Sequence, residues 1–253
     1  MRISDHRILI TGGGTGIGLA FARALAGRGN RILIAGRRSQ PLEDAARDLE
    51  GVTTATVDLV REDSIRELLS VVKERLGGLS FLVNNAGIQY NDDYATADAD
   101  EICQHVDREV GTNLTGLVKL TTLAMPLLLL APEAAIVNVS SILAISPKKS
   151  APVYCATKAA VRSFTQALRY QLAEQAPHIR VVEVAPPIVD TAMTAGRGRR
   201  KLRPELVHRY RSSMTYCHAA ALSDGAPVCS QRSSKRRRSR RVNFQTNGVA
   251  ICA

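Results

Sequence analysis

Residues 7–18, Arg7-Ile-Leu-Ile-Thr-Gly-Gly-Gly-Thr-Gly-Ile-Gly18, decide the fold of this chain. A short apolar run leads into five glycines and then into an amphipathic stretch, which is the order strand, turn, helix. Glycines let backbone N–H groups approach a phosphate, and the positive end of a helix dipole favours its charge. A tight strand-to-helix turn is the simpler interpretation, but a second strand follows and completes the context of a dinucleotide-binding turn. The stretch therefore predicts cofactor contacts at Gly12, Thr15, Gly16, Ile17 and Gly18.

Short β-branched runs alternate with longer amphipathic ones from this turn to residue 187. The predicted strands, nearly continuous apolar runs, are Arg7–Thr11, Arg31–Ala35, Thr53–Val57, Phe81–Asn84, Ala135–Val139 and Val181–Val184. The predicted helices span 16–29, 41–50, 62–77, 98–131 and 152–176. Apolar strands are typical of a sheet covered on both faces, and βα units of this length build a parallel sheet. The predicted fold class is α/β, a single Rossmann-type doubly wound parallel sheet with helices on both faces.

Composition excludes several other classes. The 253 residues are 45% hydrophobic and 23% charged, which is enough for a core and rules out wholesale disorder. The five cysteines are not closely and regularly spaced, which rules out a small secreted domain held together by disulfides. The five histidines are scattered along the chain and indicate no metal site. We find no apolar run long enough for a membrane span and no signal-peptide pattern, so a cytoplasmic protein is expected.

The net charge of +11 belongs to the C-terminal part of the chain. Residues 197–253 contain 14 Lys/Arg and two acidic residues, a net charge of +12, so that residues 1–196 carry −1. We predict a dinucleotide-binding catalytic domain at 1–210 and a basic, Ser/Arg-rich, disordered tail at 211–253. The tail could bind nucleic acid or a partner, although it lacks interleaved aromatics. Alternatively, it is foreign to the fold, as after a shift of reading frame near residue 210.

The end of the second strand bears on cofactor choice. An NAD-selective site places a carboxylate here for the ribose 2′-OH, whereas this chain has Gly36-Arg37-Arg38. Two guanidinium groups can hold a 2′-phosphate through charge-assisted bonds, unless they are merely solvated arginines at a helix start. The sequence favours NADP(H) over NAD(H).

A set of polar residues follows the later strands. Tyr154 and Lys158 are four residues apart and share one helix face, where the ammonium lowers the phenol pKa and makes it a general acid/base. Ser141 ends a strand and can donate to a substrate oxygen. Each feature alone has a simpler explanation, an incidental helix pair or a helix cap. Their occurrence together and in order indicates catalysis.

Together these motifs resemble the short-chain dehydrogenase/reductase family. The matching residues are Thr-Gly-x-x-x-Gly-x-Gly at 11–18, Asn-Asn-Ala-Gly at 84–87, Asn113, Ser141 and Tyr154-x-x-x-Lys158. The resemblance covers about residues 3–205. The sequences of the segments Asn84–Gln89, Ile136–Ser141 and Ala185–Thr191 are most similar to those of the bacterial DltE-type oxidoreductases.

The resemblance implies a role for each of these residues. Tyr154 would exchange a proton with the substrate oxygen while Lys158 binds the nicotinamide ribose. Ser141 would position that oxygen, and Asn113 would hold a water in a proton relay. Cofactor contacts at Arg37 and Arg38 follow from the residues themselves. The resemblance implies further contacts at Asp58 (adenine), Leu59, Asn85, Ala86, Gly87, Tyr154, Lys158, Val189 and Thr191 (the last two at the carboxamide).

Two positions depart from the family pattern. Pro187 stands where the family usually has glycine, and Thr15 stands where several NADP-preferring relatives have a basic residue. The expected function is hydride transfer between NADP(H) and a small carbonyl or secondary-alcohol substrate, by a homodimer or homotetramer. The alternative is a catalytically weak nucleotide-binding protein whose basic tail contacts nucleic acid or a partner.

Overall fold

A parallel six-stranded sheet forms the centre of the protein. The computed structural model describes residues 3–194 and 201–209. The strands are β1 (Arg7–Thr11), β2 (Arg31–Gly36), β3 (Val52–Thr56), β4 (Phe81–Asn84), β5 (Ala134–Val139) and β6 (Ile179–Val184). Their order in the sheet is β3-β2-β1-β4-β5-β6, and every pairing is parallel. The predicted α/β doubly wound fold is confirmed.

Helices connect the strands and cover both faces of the sheet. They are α1 (Gly16–Leu25), α2 (Ser39–Ala46), α3 (Glu62–Leu76), α4 (Ala99–Val110), α5 (Gly116–Leu129) and α6 (Pro152–Gln175). Successive residues of a strand point to opposite faces. Leu9 therefore packs in a core with α3, α5 and α6, whereas Ile8 and Ile10 pack in a second core with α1 and α2.

Two predicted helices are corrected by local backbone geometry, and a third, 41–50, is observed as Ser39–Ala46. α1 ends at Leu25 instead of residue 29, because Gly27 and Gly29 adopt φ of +68° and +71° and end the helix. The predicted helix 98–131 is interrupted by a π-helical segment, Gly111–Thr115, which widens the turn between α4 and α5.

The edge strands are less buried than the sequence predicts. β3 has no fully buried residue, and Arg180 and Val182 of β6 are exposed. Both strands lie at the edges of the described sheet, beyond the centre of the two layers of helices. The prediction of burial on both faces holds for the central strands alone.

One continuous helical stretch in the described part of the chain, Ala99–Leu129, is long and apolar enough to cross a membrane. Leu120, Ala124 and Leu128 of this stretch are fully buried in the core of the protein. Packing against α3, β4 and β5 therefore accounts for its apolar character.

The predicted tail, 211–253, lies outside the described residues, and its boundary with the catalytic domain stays a prediction. All six strands and six helices belong to a unit spanning Met1–Ser212. Because its strands are parallel, the loops after β1, β2, β4 and β5 meet at one edge of the sheet, where ligands bind in open α/β folds.

Candidate active site

Glycines let the turn after β1 and the start of α1 pack closely against each other. Gly12 adopts φ of +65°, and a Cβ on Gly18 would lie 2.2 Å from the carbonyl oxygen of Gly12. Thr15, which precedes the helix, makes no side-chain capping bond within the described chain. The first N–H groups of α1 therefore remain available to a ligand at the positive end of the helix dipole. The turn fits the pyrophosphate of a dinucleotide.

A cavity of about 150 Å³ extends from this turn past the ends of β2 and β3. Arg37 and Arg38 line it, are exposed, and form no ion pair with another described residue. Asp58 and Leu59 also line it. Oδ1 of Asp58 accepts a hydrogen bond of 3.1 Å from the N–H of Val60, which fixes the carboxylate in the turn after β3.

Thr11 and Asn85 join the glycine-rich turn to the end of β4. Oγ1 of Thr11 accepts bonds of 3.1 Å from the N–H groups of Asn85 and Ala86. Nδ2 of Asn85 donates to the carbonyl oxygens of Thr11 and Gly12, at 3.0 and 3.2 Å. The segment that includes Gly87 is thereby held against the turn. The sequence analysis gave Thr11 no role, although it belongs to the motif at 11–18. The structure shows that Thr11 holds two parts of the site together.

Ser141, Tyr154 and Lys158 line a larger cavity of about 500 Å³. This cavity shares Gly12, Thr15, Ala86 and Gly87 with the smaller one, so the two form a continuous groove. The structure thus brings three of the four predicted catalytic side chains to the same groove as the glycine-rich turn.

Lys158 is buried at the bottom of this site. Its Nζ donates to the carbonyl oxygen of Val139 at 2.8 Å and lies 5.6 Å from the ring centroid of Tyr154. Burial lowers the pKa of the Lys158 ammonium to about 8. Because i and i+4 residues share a helix face, α6 places the ammonium beside the phenol ring.

Asn113 lies behind the cavity and does not line it. It is fully buried in the π-helical segment, and its Oδ1 accepts a 2.8 Å bond from the N–H of Ile88. Its Nδ2 donates to the carbonyl oxygen of Ile88 at 2.9 Å and to Oγ1 of Thr157 at 3.2 Å. A Cβ on Gly87 would lie 3.2 Å from Oδ1 of Asn113 and 3.5 Å from Nζ of Lys158, so Asn113 adjoins the lysine.

The loop after β6 closes another side of the large cavity. Val189 and Thr191 line it, and Val189 forms a parallel bridge with Leu202. The side chain of Thr191 approaches the glycine-rich turn, because a Cβ on Gly16 would lie 3.0 Å from its Cγ2. Pro187 also lines the cavity, and the neighbouring carbonyl of Pro186 accepts a bond of 3.1 Å from Ile142.

A polar cluster that the sequence analysis missed holds the end of β5 next to Ser141. The hydroxyl of the preceding residue, Ser140, donates to Oε1 of Glu183 at 2.6 Å, and Arg162 lies 3.1 Å from Oε2 of the same carboxylate. The available signal was Glu183, the one charged residue of the predicted strand Val181–Val184. Among the predicted site residues, Asn113 and Gly18 line neither cavity, and all the others line one or both.

Comparison with known proteins agrees with this architecture. Residues 6–201 match the family model described as short chain dehydrogenase. The chain is 39% identical over 193 residues to the uncharacterized oxidoreductase DltE of Bacillus subtilis (strain 168), covering 76% of this chain and 75% of that protein. It is 31% identical over 208 residues to an uncharacterized oxidoreductase of Staphylococcus aureus (strain USA300), covering 80% and 87%.

Solved structures of enzymes share the fold. A 3-ketoacyl-(acyl-carrier-protein) reductase from Brucella melitensis, complexed with NADH, superposes with a TM-score of 0.74 at 28% identity, over 82% of this chain and 90% of that one. A short chain dehydrogenase/reductase from Burkholderia phymatum, in complex with NAD, gives 0.71 at 25% identity, over 77% and 70%. The predicted resemblance is confirmed, and this chain belongs to the short-chain dehydrogenase/reductase family of oxidoreductases.

Proposed function

We propose that the protein transfers a hydride between NADP(H) and a carbonyl or secondary-alcohol substrate. The observation that carries this proposal is the placement of Ser141, Tyr154 and Lys158 on one cavity that continues into the glycine-rich groove. A protein that only binds nucleotides has no need for a phenol and an ammonium side by side next to a free volume of about 500 Å³.

Each catalytic side chain has a task that its position supports. The bound nicotinamide supplies or accepts the hydride. Tyr154 gives a proton to the substrate oxygen during reduction and removes one during oxidation. Ser141 donates a hydrogen bond to that oxygen and stabilises the negative charge that develops on it. A protonated Lys158 holds the cofactor ribose and favours the phenolate of Tyr154.

Asn113 acts from behind the cavity in this proposal. Both of its amide atoms bond to the backbone of Ile88, and it adjoins Lys158 across Gly87. This position supports a role in fixing the segment after β4 and in holding a water that relays protons to Lys158.

The cofactor would lie along the continuous groove. Its pyrophosphate would contact the backbone of Gly12–Ile17, with Gly18 allowing α1 to approach the strand. The adenosine end would contact Asp58 and Leu59, and the nicotinamide end Asn85, Ala86, Gly87, Val189 and Thr191. Arg37 and Arg38 support NADP(H), because they stand exposed on the small cavity with no carboxylate of the described chain bound to them.

An absorbance assay at 340 nm tests the proposed reaction. A panel of aldehydes, ketones and secondary alcohols is offered with NADPH or NADP and, in parallel, with NADH or NAD. Turnover with NADPH that exceeds turnover with NADH supports the proposal. Failure of every substrate with both cofactors contradicts it.

The variant Tyr154→Phe tests the assigned acid/base. Removing the transferable proton should lower kcat by about 10²–10⁴-fold, while NADPH affinity changes little because the ring remains. Cofactor fluorescence measures the affinity and the absorbance assay measures kcat. Tyr170→Phe, on the exposed part of α6, is the matched control. A Tyr154→Phe variant that keeps more than about a tenth of the rate would refute the assignment.

The proposal extends to the assembly of the protein. Family members are commonly oligomers that act on small molecules, and we propose a homodimer or homotetramer here. Size-exclusion chromatography with light scattering tests this. The predicted cytoplasmic location stays a prediction.

A further inference from the structure

The carboxylate of Glu183, on β6, lies at a junction with β5 and α6. Its Oε1 accepts a hydrogen bond of 2.6 Å from the hydroxyl of Ser140, the residue that follows β5. Nη1 of Arg162, on α6, lies 3.1 Å from its Oε2. Glu183 therefore links the end of β5 to the helix that carries Tyr154.

Both contacts of this carboxylate are shielded from water. The side chains of Glu183 and Arg162 are 12% and 25% exposed, and Ser140 is buried. A hydroxyl that donates to a carboxylate at 2.6 Å forms a strong, charge-assisted hydrogen bond. Shielding from water strengthens such a bond and makes the groups that it joins more rigid. The hydroxyl of Ser140 is therefore held in one orientation.

Two bonds hold the chain directly before Ser141. The carbonyl oxygen of Val139 accepts the 2.8 Å bond from Nζ of Lys158, and the next residue, Ser140, is held by Glu183. Ser141 follows and lines the large cavity. Its position in the cavity therefore depends on these two bonds.

The contact of Glu183 with α6 lies on the side of the helix that bears the proposed acid/base. Tyr154, Lys158 and Arg162 follow one another at intervals of four residues, and residues four apart share a helix face. The ion pair of Arg162 with Glu183 thus connects this side of α6 to β6, and the bond to Ser140 continues the connection to β5.

We propose that Glu183 is a positioning residue that sets where the hydroxyl of Ser141 stands relative to that of Tyr154. This inference rests on the proposed function, because Ser141 is the group that would donate to the substrate oxygen. Reaction rates depend steeply on the placement of such groups. Loss of the bond between Ser140 and Glu183 should therefore slow the reaction more than it weakens cofactor binding.

The variants Ser140→Ala and Thr165→Val separate positioning from stability. Thr165 also has a buried hydroxyl bonded to the β5 segment, since its Oγ1 accepts a 2.9 Å bond from Nδ2 of Asn138. Both variants should lose stability in urea denaturation. Ser140→Ala should lower kcat by about tenfold, whereas Thr165→Val should change kcat by no more than about twofold. Equal kcat of Ser140→Ala and wild type, or equal losses in the two variants, would overturn the proposal.

The variant Glu183→Ala tests whether the carboxylate acts through Ser141. It should lower kcat in the wild type but cause no further loss in a Ser141→Ala background. Glu183→Gln keeps an acceptor for Ser140 and should retain more of the rate than Glu183→Ala. Glu174→Gln, at an exposed position on α6, is the control. A loss by the same factor in both backgrounds would contradict the proposal.

Two further features keep the test decisive. Ser140→Ala leaves the ion pair of Arg162 with Glu183 intact, so it cuts the connection even if Glu183→Ala does not fold. Fluorescence titration of each variant measures NADPH affinity, which should change little because Lys158 keeps its bond to Val139. A fall in NADPH affinity as large as the fall in kcat would count against positioning.

Crystal structures separate this inference from the proposed function. If the wild type turns over no aldehyde, ketone or secondary alcohol, the proposed reaction is wrong. The distance between Oγ of Ser141 and Oη of Tyr154, compared between wild type and Ser140→Ala, measures positioning without turnover. A change of about 0.5 Å or more supports the proposal. Unchanged positions of the two hydroxyls would overturn it.

Discussion

Lys158 shows how burial sets the chemistry of a single residue. Folding lowers its pKa from 10.5 to about 8, because the charged form loses water inside the protein. Between these values the unfolded chain binds more protons than the folded chain, so stability should rise with pH. Below about pH 8 both states are protonated, and the destabilising effect of burying the charge is fully present.

The variant Lys158→Met removes this titration. From pH 7 to pH 10, the free energy of unfolding of wild type should rise relative to Lys158→Met by about 2 kcal/mol. Urea denaturation at several pH values measures the difference. The exposed-lysine variant Lys149→Met should follow the wild type. If the difference in unfolding free energy between wild type and Lys158→Met stayed constant across this range, burial would not lower the pKa of Lys158.

Arg37 and Arg38 should decide between the two cofactors. Replacing both with alanine should weaken NADPH binding by about tenfold or more, because charge-assisted bonds to the 2′-phosphate are lost. NADH affinity should change little. Fluorescence titration measures both, with Arg66→Ala, an exposed arginine on α3, as the control. If the wild type already binds NADH more tightly than NADPH, the interpretation of these arginines is wrong.

At the scale of elements, the junction between α4 and α5 shapes the site. The π-helical segment carries Asn113, and Gly116 follows it. A Cβ on Gly116 would lie 2.5 Å from the carbonyl oxygen of Leu59 and 3.0 Å from that of Gly111. The helix can therefore approach the turn after β3 only with a glycine at this position, and that approach places Asn113 beside Ile88.

The variant Gly116→Ala should separate these elements. We expect a loss of stability of about 1–3 kcal/mol, because the added Cβ would meet two backbone oxygens and also the Cβ of Leu59 at 2.7 Å, none of which can move aside cheaply. Urea denaturation measures it. Gly36→Ala is the matched control, since its Cβ would meet only Leu42 Cδ2 at 3.7 Å and Cδ1 at 4.0 Å, which is ordinary contact. Equal stability of the two variants would contradict this account.

Strand positions were predictable, whereas helix interruptions were not. β1 and β4 have the bounds that the sequence predicts, because their apolar runs are bracketed by charged or polar residues. The π-helical segment has no comparable signal in the sequence, and the residues that its flanking glycines contact, Leu59 and Val60, are distant in the chain. Gly27 and Gly29 could have indicated the end of α1, since they follow its last turn.

At the scale of the whole molecule, the fold should stand without the basic tail. The described elements form their two cores from residues of the first unit, Met1–Ser212. Truncation after Arg211 should therefore change the melting temperature by no more than about 5 °C. Any salt-sensitive affinity for DNA or RNA should disappear with the tail. Scanning calorimetry and binding assays on both proteins measure this, and unfolding of the truncated chain would contradict it.

The sequence by itself determined the fold class and the family. Local patterns suffice for these. The alternation of apolar strands with amphipathic helices, the glycine-rich turn and the spacing of Tyr154 and Lys158 are all properties of residues that are close in the sequence. Tertiary structure alone decided that Asn113 lies behind the cavity, that Glu183 supports Ser140, and that Lys148 lines the cavity while Lys149 does not. These facts depend on contacts between residues distant in the chain, and only the packing of the sheet and its helices brings such residues together.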